Sequence, residues 1–415
     1  MMKILFLTHR YPHPPNRGDR IRSFHLLEYM SERGEVTLVT FFDEPPSDES
    51  RQVLASLCQD VLAFSWPRWK KWWYAGCSFL FGKTVTEGLF YNRWLRAQLL
   101  SLMGEQDFDV IVVFCSSMFQ YVKFLKKHAR KINGNLEFPR VIVDLVDVDS
   151  QKWYDYAKVA KIPLKWLFKL EGRRLRQVET QIESESEAMM VVTQEEMALY
   201  RSFCPTKKIF PVTNGVDTVF FDREAPALRQ TEGIPFRCVF VGAMDYRANV
   251  DGVLWFIKEV WPKVREKFPE AEFDVVGSNP VMNLVRVAAE SPGVNVLGSV
   301  PDVRPYLKRA AVAVIPLRVA RGIQNKVLES LSMGCAVTAS AQSVEGIEAV
   351  SGEDLFICDS PEEWTEKISD LFKNENLRYK LGSHGRELVI RRYAWSACLE
   401  NFGNLLVPKK DEKEP

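Results

Sequence analysis

Short apolar runs alternate with helical patterns along the first half of the chain. Residues 20–33 place apolar side chains every three or four positions, which predicts a helix, and Gly34 lies just beyond its end. The intervening runs are apolar on both faces, as in a parallel sheet that helices cover on both sides. The predicted strands of this half are residues 3–8, 36–41, 60–64, 110–114, 141–145 and 189–193.

The alternation breaks near residues 205–222 and then restarts. Residues 225–235 are polar and contain two prolines and a glycine, so they predict a linker between domains. Beyond this linker, a helix is predicted over residues 253–267 and a helical tail over residues 361–407. The predicted strands of this half are residues 237–241, 272–276, 294–297, 311–316, 336–340 and 355–358.

Two series of β/α units separated by a linker predict an α/β protein with two doubly wound, Rossmann-like domains. We assign residues 1–224 to the first domain and residues 225–390 to the second. Residues 391–415 are expected to form a C-terminal helix that returns to the first domain, followed by a charged tail. Ligands of such folds bind outside the carboxyl ends of the strands, so we expect the two domains to face a shared cleft.

The composition excludes several classes of protein. The chain of 415 residues is too long for one ordinary core, and its 55 basic and 54 acidic residues argue against a nucleic-acid partner. The 8 cysteines are scattered without a C-x-x-C motif, as in a cytosolic protein with reduced, mostly buried thiols. The 5 histidines form no pair with metal-ligand spacing. The sequence shows neither a secretory signal nor a membrane span, so we expect a soluble or peripheral protein.

A candidate phosphate site follows the predicted strand that ends at Pro316. Gly322 permits a tight loop, and a helix begins near Gln324 with free backbone N–H groups and the positive end of its dipole. Lys326 in the first turn and Glu329 three residues later lie on one helix face. The lysine and the loop amides suit a phosphate, and the carboxylate suits sugar hydroxyls. The alternative interpretation is a surface Lys–Glu pair on an ordinary helix.

This segment resembles the donor-binding motif of the retaining GT-B glycosyltransferases of family 4, the glycosyl transferases group 1, in which two glutamates are separated by seven residues. Residues 329–337 match the second half of the motif, but Arg321 stands where the first glutamate is expected. The resemblance implies that Glu329 binds the nucleotide ribose. It also implies that the carboxylate that usually contacts the donor sugar is missing.

Three further segments extend this resemblance over nearly the whole chain. Residues 214–217 read N-G-V-D, residues 241–252 resemble the start of the donor domain, and residues 18–22 resemble the loop that approaches the donor phosphates and the acceptor. Gly242 and Gly18 belong to the predicted donor site on this basis. Together with residues 144–153, these motifs resemble a bacterial subfamily associated with exopolysaccharide and PEP-CTERM/exosortase loci.

The positive charge that faces the donor diphosphate is displaced in this chain. Family members commonly carry an arginine and a lysine where Ala243 and Asn249 stand here. We keep Asn249 in the predicted donor site, together with the Gly322 loop, and look for the cations elsewhere. The candidates are Arg247, Arg318, Arg321 and Lys326.

Three acidic residues lie at the end of the predicted strand 141–145 and just beyond it. Asp144 is expected to be partly buried, and Asp149 is expected to cap the next helix. For Asp147, two roles are open: a helix cap, or a carboxylate near the donor sugar, where the family often has a histidine.

Aromatic and cationic side chains are interleaved in residues 66–74 and again in residues 158–176. Such mixtures suit the interface of a membrane, because the rings and the long cationic side chains bridge apolar and aqueous regions. The alternative is a set of core aromatics flanked by solvated lysines. Both interpretations are open from the sequence.

The resemblance implies transfer of a sugar from a nucleotide diphosphate sugar to a hydroxyl of a glycan or lipid-linked acceptor, with retention at the anomeric carbon. We assign catalytic roles to Asp147, Lys326 and Arg321, and expect neither a metal nor a cofactor besides the donor substrate. The expected location is the cytoplasm or the inner face of the cell membrane. The alternatives are a nucleotide-sugar epimerase on the same fold and a non-catalytic nucleotide-sugar-binding protein. The base, the sugar and the acceptor do not follow from the sequence.

Overall fold

The computed structural model describes residues 1–15, 17–65, 68–132, 138–320 and 322–407. Its contacts divide the chain into two units. The first unit contains Met1–Thr213 and the described residues from Leu399 onward, and the second contains Asn214–Cys398. These limits differ from the predicted ones, because residues 225–235 lie inside the second unit, where Leu228 is buried in the core.

The first unit is built on a seven-stranded sheet in which every neighbouring pair is parallel. The strands are β1 Met2–Leu7, β2 Gly34–Phe42, β3 Asp60–Ser65, β4 Val110–Phe114, β5 Arg140–Val146, β6 Ala188–Val191 and β7 Ile209–Pro211. Their order in the sheet is β3-β2-β1-β4-β5-β6-β7. The order reverses between β1 and β4, and ligands of open α/β sheets bind at such a switch point.

Nine helices precede the second unit in the described chain. They are α1 Gly18–Ser31, α2 Asp48–Leu57, α3 Arg68–Leu80, α4 Val85–Leu89, α5 Arg93–Glu105, α6 Phe119–Ile132, α7 Asp149–Val159, α8 Leu164–Glu185 and α9 Gln194–Phe203. A short 3-10 helix, Ser116–Met118, precedes α6. β1 shows why the sheet forms, since its residues Ile4 to Leu7 are all fully buried under these helices.

The second unit repeats this architecture with a six-stranded parallel sheet. Its strands are β8 Ile234–Val241, β9 Glu272–Val276, β10 Val294–Gly298, β11 Ala310–Ile315, β12 Val337–Ala339 and β13 Phe356–Ile357. The order is β10-β9-β8-β11-β12-β13, so this sheet reverses between β8 and β11. The loops after β8 and β11 therefore meet at the expected ligand edge of this unit.

The remaining helices are α10 Arg247–Trp255, α11 Trp261–Lys267, α12 Met282–Ala289, α13 Arg304–Arg309, α14 Asn325–Ser332, α15 Pro361–Lys373, α16 Glu375–Arg392, α17 Trp395–Cys398 and α18 Glu400–Leu406. A π-helical turn, Phe256–Val260, joins α10 to α11, so the helix predicted over 253–267 begins earlier. Two 3-10 helices cover Pro226–Leu228 and Ala341–Val344.

The last helix, α18, packs on the first unit. Its Phe402 ring lies 5.9 Å from the ring of Tyr29, between centroids. The guanidinium of Arg140 donates to the carbonyl oxygens of Leu405 (2.7 Å) and Leu406 (3.1 Å). These bonds satisfy carbonyl groups that a helix end leaves free.

Two predictions from composition can be compared with this fold. All 8 cysteines are free thiols and six of them are buried, which confirms the prediction of reduced, mostly buried thiols. Among the described helices, none is long and apolar enough to cross a membrane.

Candidate functional site

Two glycine-bearing loops touch at the carboxyl edge of the second sheet. Gly277, directly after β9, has a φ of +156°, and a Cβ on it would lie 1.7 Å from the carbonyl oxygen of Gly242, which follows β8. Only a glycine fits there, because any side chain would overlap the neighbouring backbone. The predicted donor residue Gly242 is thus packed against backbone on one side.

Asn249 holds the loop after β8 against α10. Its side chain is 4% exposed, and its Nδ2 donates to the carbonyl oxygen of Ala243 at 2.8 Å. A Cβ on Gly242 would lie 2.8 Å from this Nδ2. The Asn249 Oδ1 is buried without a hydrogen-bond partner among the described residues. Asn249, predicted as a donor ligand, therefore positions the loop, and one of its polar atoms remains unpaired.

The predicted cations of this edge differ in how they are held. Arg247 begins α10, and its side chain is 93% exposed beside Asp251 at 3.4 Å. Arg318 is also exposed, and its guanidinium lies 5.1 Å from the centroid of the Trp255 ring. Arg321 lies outside the described residues. The edge therefore carries exposed arginines that are not fixed by buried contacts.

α14 begins with its amino end uncapped. Within the described chain, the side chain of its N-cap residue forms no capping hydrogen bond, and its first turn contains no acidic residue. Gln324, at the N-cap position, instead donates from Nε2 to the carbonyl oxygen of Gly322 (3.0 Å) and accepts from Lys326 Nζ (3.1 Å) at Oε1. Gly322 has a φ of +65°, which favours glycine. The loop thus leaves the positive end of the helix dipole open to an anion.

Lys326 and Glu329 are partly buried on this helix. Burial raises the pKa of Glu329 to about 7, and the nearby lysine opposes that rise. Burial lowers the pKa of Lys326, and the carboxylate of Glu329 opposes that fall. Within the described chain, the two side chains form no ion pair within 4.0 Å, and Glu329 has no side-chain hydrogen bond. An ordinary surface Lys–Glu ion pair is therefore absent from the described residues, and partly buried ionisable groups of this kind make this helix face a candidate functional site.

The carboxyl edge of the first sheet carries a separate polar cluster. His9 follows β1 and is buried between the rings of Phe114 (5.7 Å between centroids) and Phe90 (5.2 Å). Burial lowers the pKa of His9. Burial would raise the pKa of Asp19, but the ring of His9, whose Nε2 lies 3.6 Å away, and the guanidinium of Arg10 at 2.8 Å hold this pKa well below its usual range.

Gly18, predicted to approach the donor, is the first residue of α1. It is exposed, and a Cβ on it would meet no atom within 4 Å. Steric room therefore does not require glycine at this position in the described structure.

Asp147 and Asp149 share one lysine after β5. Lys152 Nζ lies 2.8 Å from an Asp147 oxygen and 3.4 Å from an Asp149 oxygen, and the Ser116 hydroxyl donates to Asp149 at 2.7 Å. Burial opposes the charge of Lys152, but the two carboxylates raise its pKa. Lys152 was not among the predicted site residues, although its spacing of three residues from Asp149 on a helix could have indicated the contact.

The capping expectation for Asp149 is wrong. The N–H of Val148 donates to Glu196 at 2.7 Å, and the N–H and hydroxyl of Ser150 donate to Glu179 at 2.9 and 2.6 Å. Glu179 of α8 and Glu196 of α9 thus accept hydrogen bonds from N–H groups that the start of α7 leaves free. Asp149 is left to pair with Lys152.

Asp144 is completely buried rather than partly buried. Its carboxylate accepts from Arg22 at 2.6 and 3.2 Å, and Arg22 also donates to the carbonyl oxygen of Val212 at 2.8 Å. This pair joins α1 to β5. Nearby, Val146 has a φ of +67° and Cys115 a φ of +73°, conformations that are costly for side-chain-bearing residues.

Several aromatic side chains of the two predicted membrane segments are exposed. Trp72 and Trp73 on α3 expose 68% and 70% of their surfaces, and Trp166 on α8 exposes 67%. Trp66 lies outside the described residues. These three rings are therefore not core aromatics.

Within the described chain, no three His, Cys, Asp or Glu side chains are grouped so that they could hold a metal ion.

Comparisons with known proteins bear on this architecture. Residues 235–374 match the family described as glycosyl transferases group 1. An uncharacterized 44.6 kDa protein in the cps region of Klebsiella pneumoniae is 20% identical over 385 residues, covering 90% of this chain and 92% of its own length. Sucrose-phosphate synthase from Thermosynechococcus elongatus has a TM-score of 0.64 at 15% identity, covering 98% of both chains. HepE from Anabaena, solved with UDP and glucose, has a TM-score of 0.64 at 12% identity, covering 98% of this chain and 99% of its own.

The two parallel sheets with flanking helices are those of GT-B proteins, which confirms the predicted fold class. The matched region, 235–374, spans β8 to α15 and so contains Lys326 and Glu329. The match of residues 235–374 to this glycosyltransferase family, and not the fold by itself, identifies the protein as a glycosyltransferase enzyme.

Proposed function

We propose that this glycosyltransferase moves a sugar from a nucleotide diphosphate sugar to a hydroxyl of a glycan or lipid-linked acceptor, with retention at the anomeric carbon. The observation that carries the proposal is the pair Lys326 and Glu329 on α14, desolvated, unpaired with each other, and next to an uncapped helix end. A solved relative in fold, HepE, holds UDP and glucose, which supports a nucleotide-linked donor here.

The donor diphosphate would lie at the start of α14. Free N–H groups and the helix dipole attract phosphate oxygens, and Lys326 adds a full charge beside them. Glu329, one turn further on, would accept hydrogen bonds from the ribose hydroxyls. Bound phosphate would also favour the charged form of Lys326, whose pKa burial now lowers.

The reaction would need no nucleophile from the protein. The bond between the anomeric carbon and the diphosphate oxygen breaks, the acceptor oxygen bonds to that carbon, and the acceptor proton passes to the departing phosphate. Negative charge grows on the diphosphate as the bond breaks, so Lys326 and the helix end would stabilise the transition state. Retention rests on the resemblance to family 4. We propose no metal and no cofactor.

Arg321 is the second cation of the proposal. It stands just before Gly322, at the position where the family has its first glutamate. In addition, Ala243 and Asn249 stand where family members commonly carry an arginine and a lysine. Arg247 and Arg318 are exposed at the same sheet edge and supply further positive charge. If Arg321 faces the diphosphate, Arg321→Glu loses transfer activity, whereas equal activity would show that this charge is unused.

We propose Asp147 as a catalytic carboxylate, with Lys152 holding its side chain in position at 2.8 Å. Gly242 would allow close approach of the donor at the edge of the second sheet, and a donor role for Gly18 rests on the resemblance alone. The role in exopolysaccharide synthesis is supported by the relative in the cps region, and contact with the inner face of the cell membrane by the exposed rings of Trp72, Trp73 and Trp166.

A second candidate, a nucleotide-sugar-binding protein without turnover, is favoured by the arginine at position 321. Transfer assays with labelled nucleotide sugars and mixed lipid and glycan acceptors separate the alternatives. Label in the acceptor supports the proposal, and altered sugar with donor alone indicates an epimerase. Saturable donor binding without any product would contradict a transferase and support the binding protein.

A further inference from the structure

A cavity of ≈ 540 Å³ opens among the helices of the first unit. Its walls come from α4, α5, α6, α8 and the turn between α3 and α4. Five cationic side chains line it against one carboxylate: Lys83, Arg96, Lys123, Lys127 and Arg174, with Glu87. This cavity contains none of the residues proposed above for the donor site or for catalysis.

The single carboxylate of the cavity is already paired. Glu87 lies 3.0 Å from Lys123 Nζ, and it also closes the capping box of Thr84 at the start of α4. Glu171, which interacts electrostatically with Arg174, is likewise occupied, because its oxygens accept from the N–H groups of Val85 and Thr86. Among the described residues, the other four cations form no ion pair within 4.0 Å, and Glu171 offsets part of the charge of Arg174 only.

The remaining cations are held by neutral groups. Arg174 donates to the carbonyl oxygens of Phe79 (2.8 Å) and Lys83 (2.9 Å). Arg96 lies over the rings of Tyr91 (4.5 Å) and Phe124 (4.8 Å), and its Nε is buried with no hydrogen-bond partner in the described chain. These contacts fix the guanidinium groups without neutralising them.

Lys83 and Lys127 are exposed at the cavity, and neither forms an ion pair with a described residue. The positive charges around the cavity repel each other, and an anion bound in the cavity would reduce that repulsion.

Large apolar side chains stand beside this charged cavity. Leu80 and Phe81 are 84% and 83% exposed and directly precede the lining residues Gly82 and Lys83. On α8, the exposed Leu170, Leu167 and Trp166 precede the lining residue Arg174 by one to two turns, about 6–12 Å along the helix. A free phosphate would contact only the cationic cavity, whereas an amphiphile would contact both the cavity and the apolar side chains beside it.

We propose that the cavity binds the phosphate headgroup of an anionic membrane lipid, while Leu80, Phe81 and the exposed face of α8 enter the apolar region of the bilayer. The inference deepens the membrane contact proposed above and rests on that part of the proposed function only. It gives the enzyme a lipid site separate from its donor site.

Vesicle sedimentation tests this site with the full chain. Phosphatidylcholine vesicles with and without phosphatidylglycerol are compared for the parent protein and for Lys83→Ala/Lys127→Ala, which changes two exposed lysines that form no ion pair with a described residue. Each basic residue near an anionic surface contributes about fivefold, so the double variant should lose about twenty-five-fold in affinity for the anionic vesicles. Phe81→Ser should also weaken binding, because it removes apolar contact.

The matched control is Lys207→Ala/Lys258→Ala, which removes the same charge at exposed positions outside the cavity. The control should keep parental affinity. An equal loss in the control, or no loss in the cavity variant, would overturn the site. If free glycerol phosphate fills the cavity as tightly as vesicles bind, and Phe81→Ser changes nothing, the ligand is a soluble anion and the lipid assignment is wrong.

Donor binding is measured on the same variants by thermal shift with nucleoside diphosphates. The cavity variant should shift as the parent does, since its changes lie in the other unit from α14. A parent that binds vesicles but no nucleotide contradicts the proposed transferase and leaves the lipid site standing. A parent that binds nucleotide but not anionic vesicles contradicts the lipid site and leaves the proposed transferase standing.

Discussion

The carboxyl edges of the two sheets hold their charged side chains in different ways. In the first unit, Asp144 is paired with Arg22, Asp19 with Arg10, and Asp147 with Lys152, all within 2.8 Å. In the second unit, the partly buried Lys326 and Glu329 form no ion pair with any described residue, and the helix that carries them starts uncapped. The three carboxylates of the first edge have cationic partners without a ligand, whereas the two ionisable groups of the second edge do not pair.

This difference indicates where the protein needs a charged partner. A desolvated charge costs free energy unless another group pairs with it. Keeping Lys326 and Glu329 in that state is understandable if a bound diphosphate and ribose complete the set. The pairs of the first unit instead fix the loops that follow β1 and β5.

The largest effect is expected on the stability of the first unit. Arg22→Ala leaves Asp144 charged and fully buried without its partner, and breaking such a pair costs about 3–5 kcal/mol. Urea unfolding should show this loss. Lys158→Ala removes an exposed pair with Asp155 and should cost less than about 1 kcal/mol. Equal losses in the two variants would show that the buried pair does not hold the first unit together.

The next effect concerns turnover. Lys326→Ala should lower kcat by about 10²–10³, because a preorganised cation at a developing anion contributes that much to the transition state. Donor affinity should fall less, since the charge on the diphosphate grows during bond breaking. Steady-state kinetics and calorimetry measure the two effects separately. Lys258→Ala, exposed in the same unit, should leave both unchanged. A loss confined to affinity would mean that Lys326 only binds the donor.

A smaller effect is expected with pH. Because burial raises the pKa of Glu329 to about 7, this group loses its charge as the pH falls through 7. Charged acceptors bond hydroxyls more strongly than neutral ones, so donor affinity should fall up to about tenfold between pH 8 and pH 5.5. A nucleotide sugar is the right ligand, since its diphosphate has no terminal phosphate proton that titrates near pH 6. Glu329→Gln should flatten the profile, and an unchanged profile would remove Glu329 from donor binding.

In the ligand-free protein, the contribution of Glu329 to folding stability should change with pH in the opposite direction to donor affinity. A raised folded pKa means that the folded chain binds the proton more tightly than the unfolded chain, whose Glu pKa is about 4.3. Glu329 therefore reduces stability as the pH rises from about 4 to about 7. Comparing Glu329→Gln with the parent at both pH values by urea unfolding isolates this contribution.

Much of the fold could be predicted because buried parallel strands consist of continuous runs of apolar residues in the sequence. β4 and β5 lie at the predicted positions to within a residue or two. β7, with three residues including Pro211, is too short to give such a signal. The segment 225–235 looked like a linker from composition, but burial of Leu228 depends on a core that only the folded unit supplies.

The site was predicted less completely, because pairing depends on distant residues. The sequence placed Lys326 and Glu329 on one helix face but could not show that they fail to pair. It also could not show that Glu179 and Glu196 take over the capping of α7. One feature of the cationic cavity can be seen in the sequence: Lys123 and Lys127 lie four residues apart on α6, which places them on the same helix face.

The most direct test of the account is calorimetric titration of the parent protein, Glu329→Ala and Asp147→Ala with a panel of nucleoside diphosphates. We predict that the parent binds at least one of them, and that Glu329→Ala weakens this binding about tenfold to a hundredfold, since it removes charge-assisted bonds to the ribose. Asp147→Ala, at the already paired edge of the first unit, should bind as the parent does. Equal affinity in Glu329→Ala and the parent, or an equal loss in Asp147→Ala, would contradict the assignment of the nucleotide to the edge of the second sheet.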